Sequence, residues 1–503
     1  MNILLITSDQ QRADTIGAYG SKVPATPNID LLAKQGAVFE SAYCQHPYCQ
    51  PSRWTILTGQ HPRTHGIWGN GVDPTPKQVE DAFSTRVAEQ GYRRAFIGKA
   101  HFATNGVFLP GRSSYMEAIA NSIRMPEDWR GPYMGFDWVE LIQLGHFPFG
   151  YGPAPLGLHY GKWLGKDGYR KALERFQLAA PWRALEPKRG APQTWNSALP
   201  EEFHSTTWVA DRTIDWIKGN KGSPFFLWAS FPDPHHPLDP PAPWCFKFDP
   251  RDMPLPKRDP KELDSKPPIQ RKMSKGIGGP AAALNPSGGK ISDQALSVMT
   301  AAYYGMVAQI DHHVGRILAS LDELGISNDT LVIYTTDHGE MMGDHSLLFK
   351  GPFHYDGVLR VPLILRGPQV PKGKRISDVV GTIDLVPTFE ELTKAKRNGT
   401  LVQGESLLPL FKGKARRERV FTENDHTILF KTHLLTMVTP RHKINRHVGK
   451  PFGEIYDRVE DPGEFHNLWD ENPALRRELE AEMDEHLPPP VLPKRRVTGP
   501  FPA

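Results

Sequence analysis

The sequence predicts an α/β fold: a large, mostly parallel sheet flanked by helices, with a smaller C-terminal α+β domain. Three observations carry this expectation. Short apolar runs of strand length alternate with helical patterns, as they do when crossover helices cover both faces of a parallel sheet. Four of those runs lead into charged or ligating side chains. Beyond Lys412 the pattern changes to short strand-like runs and one charged helix.

The clearest strands cover residues 2–8, 94–98, 224–230 and 330–336. Helices lie between them. Thr26-Pro27 supplies an N-cap and a first-turn proline, and Gly36 a stop. Residues 205–216 place apolar side chains on one side at helical spacing, and 294–324 form the longest helix, ended by Gly325. Asp9 follows the first strand, Lys99 and His101 the second, His235 the third, and Asp337-His338 the fourth. In open α/β sheets the ligand crevice lies outside the carboxyl ends of the strands, so these side chains converge on one edge. Residues 145–198 and 254–292 read as long irregular covers, the Lys-rich part at 257–275 as solvated loop. The domain expectation is a large α/β unit at 1–413, a small α+β unit at 414–487 and an extended proline-rich tail at 488–503.

Composition narrows the function classes. The 503 residues are 39% hydrophobic, with 24 Phe and 12 Trp, enough for a sizeable core. The 60 basic and 56 acidic residues leave a net charge of +4, without the concentrated basic stripe a nucleic-acid partner would select. There is no apolar run of the ~20 residues a membrane span needs. The three cysteines, at 44, 49 and 245, make no disulfide framework, and Met1 leads straight into an apolar strand. A cytoplasmic location is therefore expected. Cys44 and Cys245 read as small buried side chains, and His312-His313 as an exposed or capping pair.

The most informative segment is Cys49-Gln50-Pro51-Ser52-Arg53. With Pro51 as the first helical position, Cys49 stands just before a helix N-terminus, where free N–H groups and the dipole suit an anion and favour a thiolate. The plain alternative is a buried cysteine beside a helix start. Asp9 and Asp337-His338, at two strand ends, suggest a metal site.

The motifs in their order resemble those of the type I sulfatases, in the alkaline-phosphatase-like superfamily. They are Cys49-Gln50-Pro51-Ser52-Arg53 with Leu57-Thr58-Gly59, the opening Ile6 to Asp14, Thr26-Pro27-Asn28-Ile29-Asp30, and Gly98-Lys99-Ala100-His101. Pro234-His235-His236-Pro237, Asp337-His338-Gly339-Glu340 and the Tyr456-Asp457 to Asn467-Leu468 pattern complete them. The resemblance implies that a maturation enzyme oxidises Cys49 to Cα-formylglycine. The hydrated aldehyde then cleaves a sulfate monoester through a covalent sulfo-enzyme intermediate. It further implies that Asp9, Gln10, Asp337 and His338 hold one divalent metal against position 49. Oxygen ligands make Ca²⁺ the expected ion, while an imidazole admits Mn²⁺ or Zn²⁺. The commoner family pattern has a second Asp where Gln10 stands, so this site carries one negative charge less. The segment from His338 to His345 does not fit H-E-x-x-H, which excludes a zincin.

By the same resemblance, Arg53 hydrogen-bonds the nucleophile, and Lys99 and Lys350 neutralise the ester's non-bridging oxygens. His101 takes a proton from the second hydroxyl of the intermediate, which collapses and releases sulfate. His235 serves the leaving group. His236 should diverge from it if the stretch is extended. A phosphonate monoester or phosphodiester hydrolase is the runner-up, since such enzymes share the nucleophile and resemble this Gln and His pair. Lys99 and His101 favour the sulfatase. A non-catalytic anion-binding protein with an unmodified Cys49 is the alternative from another class. The partners implied are a small sulfate ester and the maturation enzyme, with no nucleic acid and no membrane. The tail suits packing in a homo-oligomer.

Overall fold

The computed structural model describes residues 1–104, 113–143, 157–166, 191–197, 199–259, 261–275, 291–414, 416–426 and 432–487. Most of the expected cover at 145–198, the segment 276–290 and the tail at 488–503 lie outside the described residues.

Eight strands form the main sheet: β1 (Asn2–Ser8), β2 (Ala37–Tyr43), β3 (Arg93–Lys99), β4 (Trp138–Ile142), β5 (Phe225–Ser230), β6 (Thr330–Thr336), β7 (Leu363–Arg366) and β8 (Lys374–Gly381). Their order is β4-β3-β5-β1-β6-β7-β2-β8. β7 runs antiparallel to both of its neighbours, and the other pairings are parallel. The sheet is therefore mostly parallel, as expected. β1 is central and wholly buried, which explains its unbroken apolar run.

The two faces of β1 feed different cores. Ile3 and Leu5 join one cluster with Trp54, Ile56 and Leu57 of α2 (Cys49–Thr58). Leu4 and Ile6 join another, built on α1 (Pro27–Lys34), α3 (Ser205–Asn220) and α4 (Asp293–Glu323). This is the period-2 alternation of a strand covered on both sides.

Strands β9 (Val420–His426), β10 (Thr432–Val438), β11 (His442–His447) and β12 (Gly453–Asp457) make a second, antiparallel sheet. One face packs Met437, Ile444 and Ile455 on Leu479 and Met483 of α5 (Pro473–His486). The other carries the polar row Thr422, Thr436, Asn445 and Glu454, which bonds back to the main unit. Thr422 Oγ1 donates to the Cys44 carbonyl at 2.6 Å, and Gln270 Nε2 to Glu454 Oε1 at 2.9 Å.

Two expectations need correction here. The Lys-rich stretch at 257–275 is not simply solvated loop: it contains the short helix Pro268–Ser274, and Lys266 and Gln270 are buried. Lys266 Nζ donates to Tyr456 Oη at 2.7 Å, tying the segment to the small sheet. His313 is buried and bonds Thr207 Oγ1 at 3.0 Å across α3 and α4, while His312 is exposed. Helical spacing turns adjacent residues about 100° apart, so one faces the partner helix and the other faces water. Cys44 is buried as expected, and Cys245 is half-buried.

Candidate active site

Cys49 is itself the first residue of α2, with Tyr48 as N-cap and Pro51 inside the first turn. The helix thus begins two residues earlier than the proline alone implied. All ten of its residues are buried, so its free N–H end faces a site rather than water.

The strand ends bring the expected residues to this point. Cys49 Sγ lies 3.2 Å from His338 Nε2, 3.6 Å from Asp9 Oδ1 and 3.2 Å from Lys350 Nζ. Arg53 is fully buried one turn along the helix, bonding Asp9 Oδ2 and Asp337 Oδ2 at 2.9 Å each. Its Nη1 also donates to Ser230 Oγ at 2.8 Å, linking α2 to the end of β5. Lys99 Nζ reaches Asp9 Oδ2 at 2.8 Å. The glycine before it is needed: Gly98 has φ +115°, and a Cβ there would stand 1.9 Å from the Ser230 carbonyl oxygen. β3 can deliver Lys99 this close to β5 only because residue 98 has no side chain.

Electrostatics follow from this crowding. Burial pushes the Cys49 thiol pKa up, yet Lys350, Lys99 and His338 outweigh it and hold the thiol well below its ordinary value. Asp9 is likewise pushed up by burial and Cys49, but Lys99, His235 and Arg53 bring it below the usual carboxylate range. The pocket stabilises an anion on side chain 49.

His101 adopts φ +48° just after β3. Both its ring nitrogens are buried, and the side chain it interacts with is Cys49. His235 Nδ1 lies 2.6 Å from the His236 carbonyl, which can only accept, so the proton is on Nδ1 and the Nε2 lone pair faces Lys350 Nζ at 3.0 Å. Burial, then Lys350 and Lys99, lower the His235 pKa to about 4.

The residues fit a divalent cation. One ligand atom from each of Asp9, Cys49, Asp337 and His338 lies within 4.8 Å of the others. His338 Nδ1 faces the Gly339 carbonyl at 2.9 Å, so it donates there, and Nε2 is the nitrogen turned towards the cluster, which would become a ligand atom by giving up its proton. A positive charge is already held among these atoms. Lys350 Nζ touches Gln10 Oε1 at 2.9 Å, Cys49 Sγ at 3.2 Å and His338 Nε2 at 3.3 Å.

Sequence reasoning missed His236. Residues 233–237 form turns and bends rather than extended chain, so its ring does not diverge. It stacks on His235 with centroids 4.1 Å apart, and its Nδ1 lies 3.1 Å from Gln10 Nε2. The motif Asp337-His338-Gly339-Glu340 assigns Glu340 no role, yet its carboxylate accepts a hydrogen bond from Gln10 Nε2. Neither feature has a spacing signal, because one depends on a turn and the other on a contact between segments 330 residues apart.

Comparison with known proteins places the chain in a family. Residues 1–395 match the Sulfatase family, and residues 343–488 match the N-sulphoglucosamine sulphohydrolase C-terminal family. The arylsulfatase of Clostridium perfringens is 28% identical over 489 residues, covering 93% of this chain and 90% of that protein. Among solved structures, the phosphonate monoester hydrolase of Agrobacterium radiobacter shares the fold with a TM-score of 0.75 at 24% identity, covering 96% of this chain and 95% of that one. A protein solved in complex with its substrate D-glucosamine-2-N,6-O-disulfate shares it with a TM-score of 0.70 at 18% identity, over 96% and 97% of the two chains. Among the described residues, no helix is long and apolar enough to cross a membrane.

Proposed function

Because this chain belongs to the sulfatase family and is a sulfatase enzyme, we propose that it hydrolyses a sulfate monoester at position 49, after Cys49 has been oxidised to Cα-formylglycine. The observation that carries this reading is the environment of Cys49: a side chain on a helix N-terminus, fully buried, within 3.2 Å of both an ammonium and an imidazole. A divalent cation held by Asp9, Gln10, Asp337 and His338 would add Lewis-acid charge beside the nucleophile and the ester oxygens.

Each residue then has a task set by its contacts. Arg53 keeps Asp9 and Asp337 at fixed separation and stands one turn from the nucleophile. Lys99 and Lys350 offer fixed positive charge to the sulfuryl oxygens, and such preorganised charge carries most of the rate gain in transfer of this type. His101, in contact with side chain 49, would take the proton from the second hydroxyl of the hydrated side chain, so that the sulfated form collapses to the aldehyde and releases sulfate. His235 serves the leaving oxygen. Its low pKa comes from burial, Lys350 and Lys99; an incoming sulfate ester adds negative charge beside it and favours its protonation.

Phosphonate monoester or phosphodiester cleavage is the second reading. What favours it is Gln10 and His338 in the metal set, which resemble those enzymes. What weighs against it is Lys99 and His101 beside Cys49, cationic and basic groups where phosphonate hydrolases carry uncharged or phenolic ones. A weaker side activity on such esters is the expected outcome.

Peptide mass spectrometry after co-expression with a formylglycine-generating enzyme tests the modification. The Cys49 peptide should carry the aldehyde, and Cys49→Ala should lose ~1,000-fold or more in turnover. An active enzyme whose residue 49 stays a thiol, or an active Cys49→Ala, would refute the reading, and an unmodified thiol without turnover would leave the non-catalytic anion-binding alternative.

A further inference from the structure

Gln10 is fixed at every polar atom. Its N–H donates to Asp337 Oδ1 at 3.1 Å and its carbonyl accepts from Tyr303 Oη at 2.6 Å, with the backbone at φ +65°. The side-chain amide is determined just as closely. Lys350 can only donate, so the atom facing it at 2.9 Å must be Oε1. The nitrogen's two hydrogens then go to Glu340 Oε2 and to His236 Nδ1, the latter at 3.1 Å. Glu340 is itself held in place. Its other oxygen, Oε1, accepts from the backbone N–H of Met342 at 2.9 Å and from that of Phe349. Two oxygens that only accept mark a carboxylate, and the side chain is 2% exposed.

From this we infer that Glu340, with His236, is a positioning residue that locks the Gln10 amide with its oxygen towards the cation site. Glu340 also supplies, one hydrogen bond further out, the negative charge that Gln10 lacks at the ligand position. Flipping the amide would set Oε1 against the Glu340 carboxylate and Nε2 against the Lys350 ammonium. Both contacts are repulsive, so a single orientation survives. A neutral ligand whose N–H leans on a carboxylate is a stronger oxygen donor than an isolated amide, as when a carboxylate backs a ligating imidazole. Nothing in residues 337–340 beyond the acid itself announces this, because the partner amide lies some 330 positions away in sequence.

The inference rests on the metal reading given above, and the test separates the two. Calorimetric titration of metal-free full-length protein with Ca²⁺ and with Mn²⁺ gives dissociation constants for wild type, Glu340→Gln, Gln10→Glu and the double variant. Wild type should bind one ion tightly. Glu340→Gln keeps the size and the acceptor for Met342 and Phe349, but presents an N–H where Gln10 needs an acceptor, so affinity should fall ~10- to 100-fold. Gln10→Glu sets two carboxylates against each other and should also bind poorly. The double variant exchanges acid and amide, so it should recover most of the loss. Thermal midpoints of the four metal-free proteins show which variants are folded, and only folded ones are compared. No binding by wild type would overturn the metal reading. Tight wild-type binding with Glu340→Gln unchanged, or losses in the double variant that simply add, would overturn the clamp and leave the metal reading standing.

Discussion

At the scale of single residues, the site is a set of opposed charges whose members cannot be removed independently. Arg53 is 0% exposed and is bonded to Asp9 and Asp337 together. Arg53→Met should therefore cost ~3–5 kcal/mol of stability, because it strands two buried carboxylates; denaturant midpoints check this. Arg53→Lys keeps the charge and loses the planar fork that spans both acids, so it should recover only part of the loss. His101 presents the opposite case, a buried ring that pairs with no charged group and interacts with Cys49. His101→Asn should leave stability nearly unchanged and slow turnover ~100- to 10,000-fold, with the sulfated form of residue 49 accumulating in the mass spectrum of the turning-over enzyme. A normal rate, or no trapped species, would move the release step elsewhere. Most of these side chains could be read from the sequence because each follows a strand or opens a helix. His236 and Glu340 could not, since their roles arise from a turn and from a contact between distant segments.

At the scale of elements, the turn after β3 has its own support. The backbone N–H groups of Phe102 and Ala103 donate to one oxygen of Glu117 at 3.0 and 3.1 Å, and Tyr133 Oη donates to the same oxygen at 2.8 Å. This carboxyl is buried, and burial outweighs those three bonds, raising its pKa to about 7. The folded pKa thus exceeds the unfolded one, so stability present below about pH 4.5 is lost as pH rises through about 7. Relative to Glu117→Gln, the wild type should lose on the order of 3 kcal/mol across that window. Melting both proteins at pH 5 and pH 8 tests it: the gap should shift in favour of the variant at pH 8, and a constant gap would contradict the assignment. The same turn shows which elements are legible. β1, β3, β5 and β6 were visible as continuous apolar runs because both faces of the inner sheet are covered. β2 is interrupted by Glu40-Ser41, β8 is half polar at the sheet edge, and β4 is a five-residue edge strand. Edge strands bury less, so the pattern that betrays a strand is weaker there.

At the scale of the whole molecule, the second sheet is joined to the first through buried polar groups as well as through Val420, Val438 and Tyr456, which belong to the main core. Lys443 is fully buried and shared by Asp356, at 2.7 Å, and Glu464. Lys443→Met should destabilise the protein by ~3–5 kcal/mol by leaving both acids without their cation, read as a lower urea midpoint with the fold's helical signal retained. The sequence indicated a small α+β unit here, yet not this junction. Its Lys-rich stretch looked solvated because the partners of Lys266 lie almost two hundred residues away, at Tyr456 and Glu464. The central claim concerns what the assembled site cleaves. The direct measurement is kcat/KM for matched aryl sulfate, phosphonate monoester and phosphodiester substrates, on preparations whose aldehyde content at residue 49 has been quantified. Sulfate turnover should be the fastest of the three and proportional to the aldehyde fraction. A phosphonate preference of orders of magnitude, or a rate independent of the aldehyde, would contradict it.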